Sequence, residues 1–179
     1  MNWEDKPQVK KGSIGEAIVD DILLGKGIIP YSPITSGAHP FDRLCSSADK
    51  KNLYVAETKT KARRTYYPDT GIDYSKFHEY QFLQQKYNIE IYLYFVDEML
   101  GTVYGGLLSH ISEPCTIRNN GKVLEYPLKH GKQIYFPLAL MEKAVEIDAD
   151  TIAKLRQLST RSYAYEETQS EMALPEFNG

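Results

Sequence analysis

Leu53–Lys61 reads LYVAETKTK, and how this stretch is read decides the fold. It opens with Leu53, Tyr54, Val55 and Ala56, material for an interior strand, and closes in charge. Alternate side chains of a strand share a face, so Val55, Glu57 and Lys59 project together. A carboxylate and an ammonium at the end of an apolar strand have two readings. One is an exposed Glu–Lys pair, worth under about 1 kcal/mol. The other is part of a polar site where a sheet meets its ligand.

The preceding segment, HPFDRLCSS, also reads as a strand, joined to the first by ADKK. A turn at ADKK makes positions 48 and 51 partners and puts Asp42 directly across from Glu57. Such neighbours have Cβ atoms about 4.5–5.5 Å apart, and like charges there repel. A cation between them relieves the repulsion, and Mg²⁺ typically uses one or two carboxylates with waters and phosphate oxygens. Lys59, one step along the same face, can orient a water and stabilise developing negative charge. The chain holds three (D/E)xK tripeptides: Glu4-Asp5-Lys6, Asp49-Lys50-Lys51 and Glu57-Thr58-Lys59. The first lies in a polar terminus and the second in a turn, and only the third closes an interior-type strand.

Further out, SIGEAIVDDILLG predicts a helix from Ser13 to Gly25, with Ser13 and Glu16 in capping-box spacing. Ile28–Ile34 reads as a short strand interrupted by Pro30 and Pro33. Apolar spacing predicts a second helix over Ile72–Tyr87. IEIYLYFVDE is the strongest strand pattern, and GTVYGGLLS follows it as a hairpin partner. Asn120-Gly121 marks another hairpin within TIRNNGKVLEY, KQIYFPL adds a strand, and Asp148 is placed to cap a helix over Ala149–Leu158. The expected fold is mixed α/β, a central sheet flanked by helices, in one domain over residues 1–160 with a polar tail over 161–179.

At 42% hydrophobic and 25% charged, the 179 residues suit a soluble domain with a sizeable core. No apolar run approaches the roughly 20 residues of a membrane span. The N-terminus lacks a signal-peptide core, so a cytoplasmic protein is expected. Cys45 and Cys115 are isolated, and four scattered histidines offer no zinc-type spacing. A net charge of −3 argues against coating nucleic acid by bulk charge, though not against a local basic patch.

Asp42 followed by Glu57-Thr58-Lys59 on the next strand resembles the PD-(D/E)XK nuclease superfamily, which includes restriction enzymes and Holliday-junction resolvases. The resemblance covers about Gly12 to Leu108. One departure is that Phe41 separates Pro40 from Asp42. It implies a restriction-endonuclease-like α-β-β-β-α-β core with extra C-terminal strands and a helix. It also implies a Mg²⁺-dependent endonuclease acting on DNA, with Mn²⁺ able to substitute. Asp42 and Glu57 would hold the metal with the Thr58 carbonyl, Lys59 would act on the water, and Glu16 would bind metal directly or through water. Glu16 also has a plain reading as a helix cap, and Asp42 one as an edge-strand charge beside Arg43. Cutting both strands of a duplex needs two sites, so a homodimer is compatible with that chemistry. The rival reading is a catalytically silent nuclease-fold module that binds nucleic acid or assembles with partners.

Beyond the strand, Lys61, Arg63 and Arg64 leave the candidate site and are candidates for phosphate contact. Tyr66 and Tyr67 could stack on a base. Tyr80 and Gln81 lie on the next helix, where some members of that superfamily contact substrate and where packing is the ordinary role. His39, three residues before Asp42, reads as structural or solvent-facing. Asp97-Glu98 reads as an acidic turn with no chemistry.

Overall fold

The computed structural model describes residues 3–33 and 40–159. The tail over 161–179 and His39 lie outside the described residues.

Helix α1 spans Pro7–Gly25, longer than the sequence pattern predicts. Pro7 starts it, with its fixed φ and missing N–H suited to a first turn. Ser13 is therefore interior, and its hydroxyl donates to the Val9 carbonyl at 3.1 Å. The capping-box role of Ser13 and Glu16 falls away, because the helix has already begun well before them.

Strands β1 (Pro30–Tyr31), β2 (Arg43–Ser46) and β3 (Leu53–Thr60) follow. The next element corrects the expected helix over Ile72–Tyr87. Its first part is strand β4 (Asp69–Asp73), and helix α2 occupies only Tyr74–Tyr87. Gly71 and Ile72 pair with Tyr135 and Ile134, so a strand formed far downstream overrides the local helical spacing. Gly71 is required at this approach, because a Cβ there would lie 2.1 Å from the Ile134 carbonyl oxygen.

Strands β5 (Glu90–Asp97) and β6 (Thr102–Leu107) form the expected hairpin, followed by the short helix α3 (Leu108–Ile111). Strands β7 (Cys115–Asn119) and β8 (Lys122–Tyr126) turn at Asn120-Gly121, both with positive φ, as a tight hairpin demands. Strands β9 (Leu128–His130) and β10 (Gln133–Pro137) make a second hairpin. Strand β11 (Glu142–Glu146) and helix α4 (Ala149–Leu158) complete the described chain, with Thr151 N–H donating to the Asp148 cap at 2.9 Å. Strands β9 and β11 have no counterpart among the expected elements, since neither shows a clean apolar alternation.

The central sheet runs β1-β2-β3-β5-β6-β11 and is mixed: β3 and β5 are parallel, the other pairs antiparallel. Its two faces bury different cores. Val55, Ile91, Leu93 and Phe95 pack with Phe77 and Tyr80 of α2 and with Ile134 and Phe136 of β10. Ala56, Tyr94 and Val96 pack on the other face with Val19 and Leu23 of α1 and Leu155 of α4. Residues Val55 and Ala56 thus point oppositely, as the two-residue period requires. A Cβ at Gly15 would fall 1.8 Å from Thr60 Oγ1, so this glycine sets how closely α1 rides on β3. Among the described residues no helix is long and apolar enough to cross a membrane.

Candidate active site

Strands β2 and β3 pair in the register expected from a turn at ADKK. Arg43 faces Ala56, Leu44 faces Val55, Cys45 faces Tyr54 and Ser46 faces Leu53. Asp42, one residue before the ladder begins, therefore arrives beside Glu57. The two residues clasp each other through their backbones. Asp42 N–H donates to Glu57 Oε2 at 3.2 Å, and Thr58 N–H donates to Asp42 Oδ2 at 2.7 Å. The Lys59 ammonium donates to Glu57 Oε1 in a short contact.

Glu57 is 4% exposed, deep for a carboxylate. Two acids so close and so poorly solvated oppose each other's ionisation. Burial, and next the Glu57 charge, push the Asp42 carboxyl up to about 6. The Thr58 N–H bond and the Lys59 charge act the other way without cancelling this. Among the described residues, the two carboxylates share one lysine, Lys59.

Tyr80 closes the site from α2. It is 0% exposed. Its hydroxyl meets no partner in hydrogen-bond geometry. Burial first, and the adjacent Glu57 carboxylate second, hold its proton on far above the ordinary phenol range. Its polar end lies close to the Glu57 carboxylate, although the approach falls outside good hydrogen-bond geometry.

Glu16 stands on the α1 side. Arg43 donates through Nη1 to Glu16 Oε2 at 3.1 Å and to the Asp42 carbonyl at 2.9 Å. The same guanidinium grips Asp20 in a fork, both bonds 2.9 Å. Glu16 is close enough that its charge adds to the rise at Asp42, yet its own carboxylate is engaged by Arg43. The clamp of Arg43, Glu16 and Asp20 goes beyond the sequence reading. Its signal was present, since Glu16 and Asp20 are four apart on a helix and must share a face.

The basic run leaving β3 turns inward. Lys61 Nζ donates to the Gly71 carbonyl at 2.8 Å and to Gln133 Oε1 at 3.3 Å. Arg64 Nε donates to Asp69 Oδ1 at 2.7 Å, and its guanidinium lies between the rings of Tyr67 and Tyr135, 4.0 and 3.9 Å from their centroids. The Asp69 pair occupies Nε and Nη2 of Arg64. Arg63 lies near Asp97 and helps to ionise it. Tyr67 spends its face on Arg64, whereas Tyr66 is exposed.

Asp97 and Glu98 lie at the β5–β6 turn, as expected, and both are buried. Asp97 Oδ1 accepts the Met99 and Leu100 N–H groups at 2.9 and 3.3 Å, and Lys11 Nζ sits 3.0 Å from Glu98 Oε2. The pair closes the β5–β6 turn and ties it to α1.

Asp42 and Glu57 form a donor set that fits a hard divalent cation. Both carboxylates lie at the same end of the β2–β3 pair and are poorly solvated, and burial and the Glu57 charge both oppose ionisation of Asp42. Among the described residues no group of three or more His, Cys, Asp and Glu is placed to hold a metal ion. Two carboxylates are enough for Mg²⁺, which keeps waters and substrate oxygens in its remaining positions.

No family model matches the chain, and no curated protein matches it. Among solved structures, a Holliday junction resolvase, Hjc, from Archaeoglobus fulgidus is similar at a TM-score of 0.46 and 10% identity. The match covers 72% of this chain and 90% of that one. The likeness is loose, and the chemistry of the site stands on its own geometry.

Proposed function

We propose that this protein is a Mg²⁺-dependent nuclease that hydrolyses phosphodiester bonds of DNA, cutting within the chain. The observation that carries the reading is the apposition of Asp42 and Glu57 across β2 and β3, with Lys59 on the same face as Glu57. A fold has little reason to bury two facing carboxylates unless a cation completes them.

Asp42 and Glu57 would hold the ion, with the Thr58 carbonyl as a further oxygen donor. When bound, the ion supplies Lewis-acid polarisation of the phosphate and lowers the pKa of a water. Lys59 stands one step further along the strand. On substrate binding its ammonium exchanges Glu57 for the attacking water or a non-bridging phosphate oxygen, and it stabilises the charge that builds there. Arg43 fixes the Asp42 backbone through its carbonyl and holds Glu16 beside the site, where that carboxylate adds negative field. The buried Tyr80 hydroxyl lies close to the Glu57 carboxylate.

Purified protein with supercoiled plasmid tests this. Nicking or linearisation is expected with Mg²⁺ or Mn²⁺ and none in EDTA. Cleavage that survives in EDTA, or that Glu57→Gln retains in full, overturns the reading. DNA binding without cleavage in either metal would instead favour a silent nuclease-fold module.

A further inference from the structure

The cations that face solvent lie away from the basic run. Residues 114–133 carry Arg118, Lys122, Lys129 and Lys132 against one carboxylate, Glu125, in a chain of net charge −3. All four are exposed. Among the described residues none of them is in an ion pair with a carboxylate. The long stems of lysine and arginine make such groups adaptable phosphate contacts, whereas Lys61 and Arg64 are already engaged.

Two hairpins present these cations, and both are fastened to the segment that leaves the candidate site. In the β7–β8 hairpin, Asn119 Nδ2 donates to the Tyr66 carbonyl at 2.8 Å. In the β9–β10 hairpin, Gln133 accepts from Lys61, and the Lys132 carbonyl accepts the Tyr74 N–H at 2.8 Å. The Lys129 ammonium sits 3.9 Å from the Tyr74 ring centroid, at the start of α2. Lys61 is two residues beyond Lys59, and the two anchor points, Lys61 and Tyr66, are at most about 17 Å apart along the chain. Cations of both hairpins therefore border the exit of β3.

We infer that the β7–β8 and β9–β10 hairpins form the surface that grips the sugar–phosphate backbone of duplex DNA as it passes the Asp42–Glu57 site. This inference rests on the nuclease reading of that site. A duplex suits two arms better than a single strand does, because its two backbones give each arm its own row of phosphates. Contacts of this type position the polymer and carry no sequence information.

The test measures binding apart from cleavage, using a fluorescently labelled DNA duplex and the full chain in EDTA across a salt series. Replacing Arg118, Lys122, Lys129 and Lys132 together by Ala is expected to weaken binding at least about 10-fold at low salt. It is also expected to flatten the dependence of log K on log salt by about 3.6, because each phosphate the protein no longer neutralises removes roughly 0.9 from the slope. The pair Lys50→Ala and Lys51→Ala, on the β2–β3 turn at the far end of β3, serves as the control and should change neither. Unchanged affinity and slope in the fourfold variant at native Tm overturn the inference, as does an equal loss in the control. Tighter binding of an RNA duplex of the same sequence overturns DNA as the occupant. Binding by the arms without cleavage in Mg²⁺ would remove the nuclease reading alone, whereas undiminished cleavage by the fourfold variant would remove this inference alone.

Discussion

Asp42 and Asp69 are both aspartates drawn into the interior, and the chain treats them oppositely. Asp69 is 0% exposed and fully answered. Arg64 forks onto it, Tyr126 donates to it at 2.6 Å, and two tyrosine rings hold the guanidinium in place. Asp42 faces a second carboxylate instead, and among the described residues the nearby Lys59 ammonium donates to Glu57. A carboxylate kept for the fold receives its counter-charge from the chain. A pair left short of positive charge is suited to take a cation from solution.

That contrast is broken or sharpened first by catalysis. Asp42→Asn, Glu57→Gln and Lys59→Ala are each expected to cut plasmid cleavage by at least about 10³-fold, roughly 4 kcal/mol of transition-state stabilisation. Their Tm should stay near or above wild type for the two carboxylate variants, because each removes charge from a site with an excess of one sign. Asp69→Asn should do the reverse. Leaving Arg64 without its partner costs about 3–5 kcal/mol of stability, read as a lower midpoint in urea, while the folded fraction keeps cleaving. If Asp42→Asn unfolds the protein and Asp69→Asn does not, the assignment of the two aspartates is inverted.

Tyr80 lies between these extremes. Tyr80→Phe deletes a hydroxyl with no partner in bonding geometry and keeps the ring that packs on Phe77 and Val55. Stability should hold within about 1 kcal/mol or rise slightly. Cleavage should fall about 10-fold, with more Mg²⁺ needed for half-maximal rate, because Glu57 loses the group that borders its inner side. A stability loss above about 2 kcal/mol with unchanged cleavage would make Tyr80 a packing residue only.

The parts of the fold that are legible in sequence are those fixed locally. The β5–β6 and β7–β8 hairpins, the Asp148 cap and the β2–β3 register follow from turn residues and two-residue alternation. The parts that are not legible depend on distant partners. PDTGID becomes β4 because β10 pairs with it, and no window around Ile72 contains that information. Within the site, Asp42 facing Glu57 is readable because both flank one short turn. The fate of Lys61 and Arg64 is not, since Gln133, Tyr135 and Tyr126 come from a segment far along the chain. A charge run in sequence carries no sign of which of its members the fold will consume.

The metal-free protein should also show the contrast in the pH dependence of its stability. An unfolded aspartate titrates near 3.9, whereas Asp42 in the fold is pushed up to about 6 by burial and by Glu57. Between those values the folded protein binds the extra proton, so stability falls as pH rises from about 4 to about 6 and then levels. The full shift would correspond to about 3 kcal/mol. Partial solvent access brings the expected loss to about 1–2 kcal/mol, measurable as a drop in urea midpoint in EDTA. Asp97, also raised by burial, contributes in the same direction, so the slope alone does not identify Asp42. The difference between wild type and Asp42→Asn does. The variant should lose part of the slope and be the more stable of the two above about pH 6. Saturating Mg²⁺ should erase the difference in wild type by compensating the pair, and should do so less in the variant, which offers the ion one carboxylate where Asp42 and Glu57 together offer two. A wild-type protein whose stability rises across this window would show that Asp42 is paired as Asp69 is, and the contrast between them would vanish.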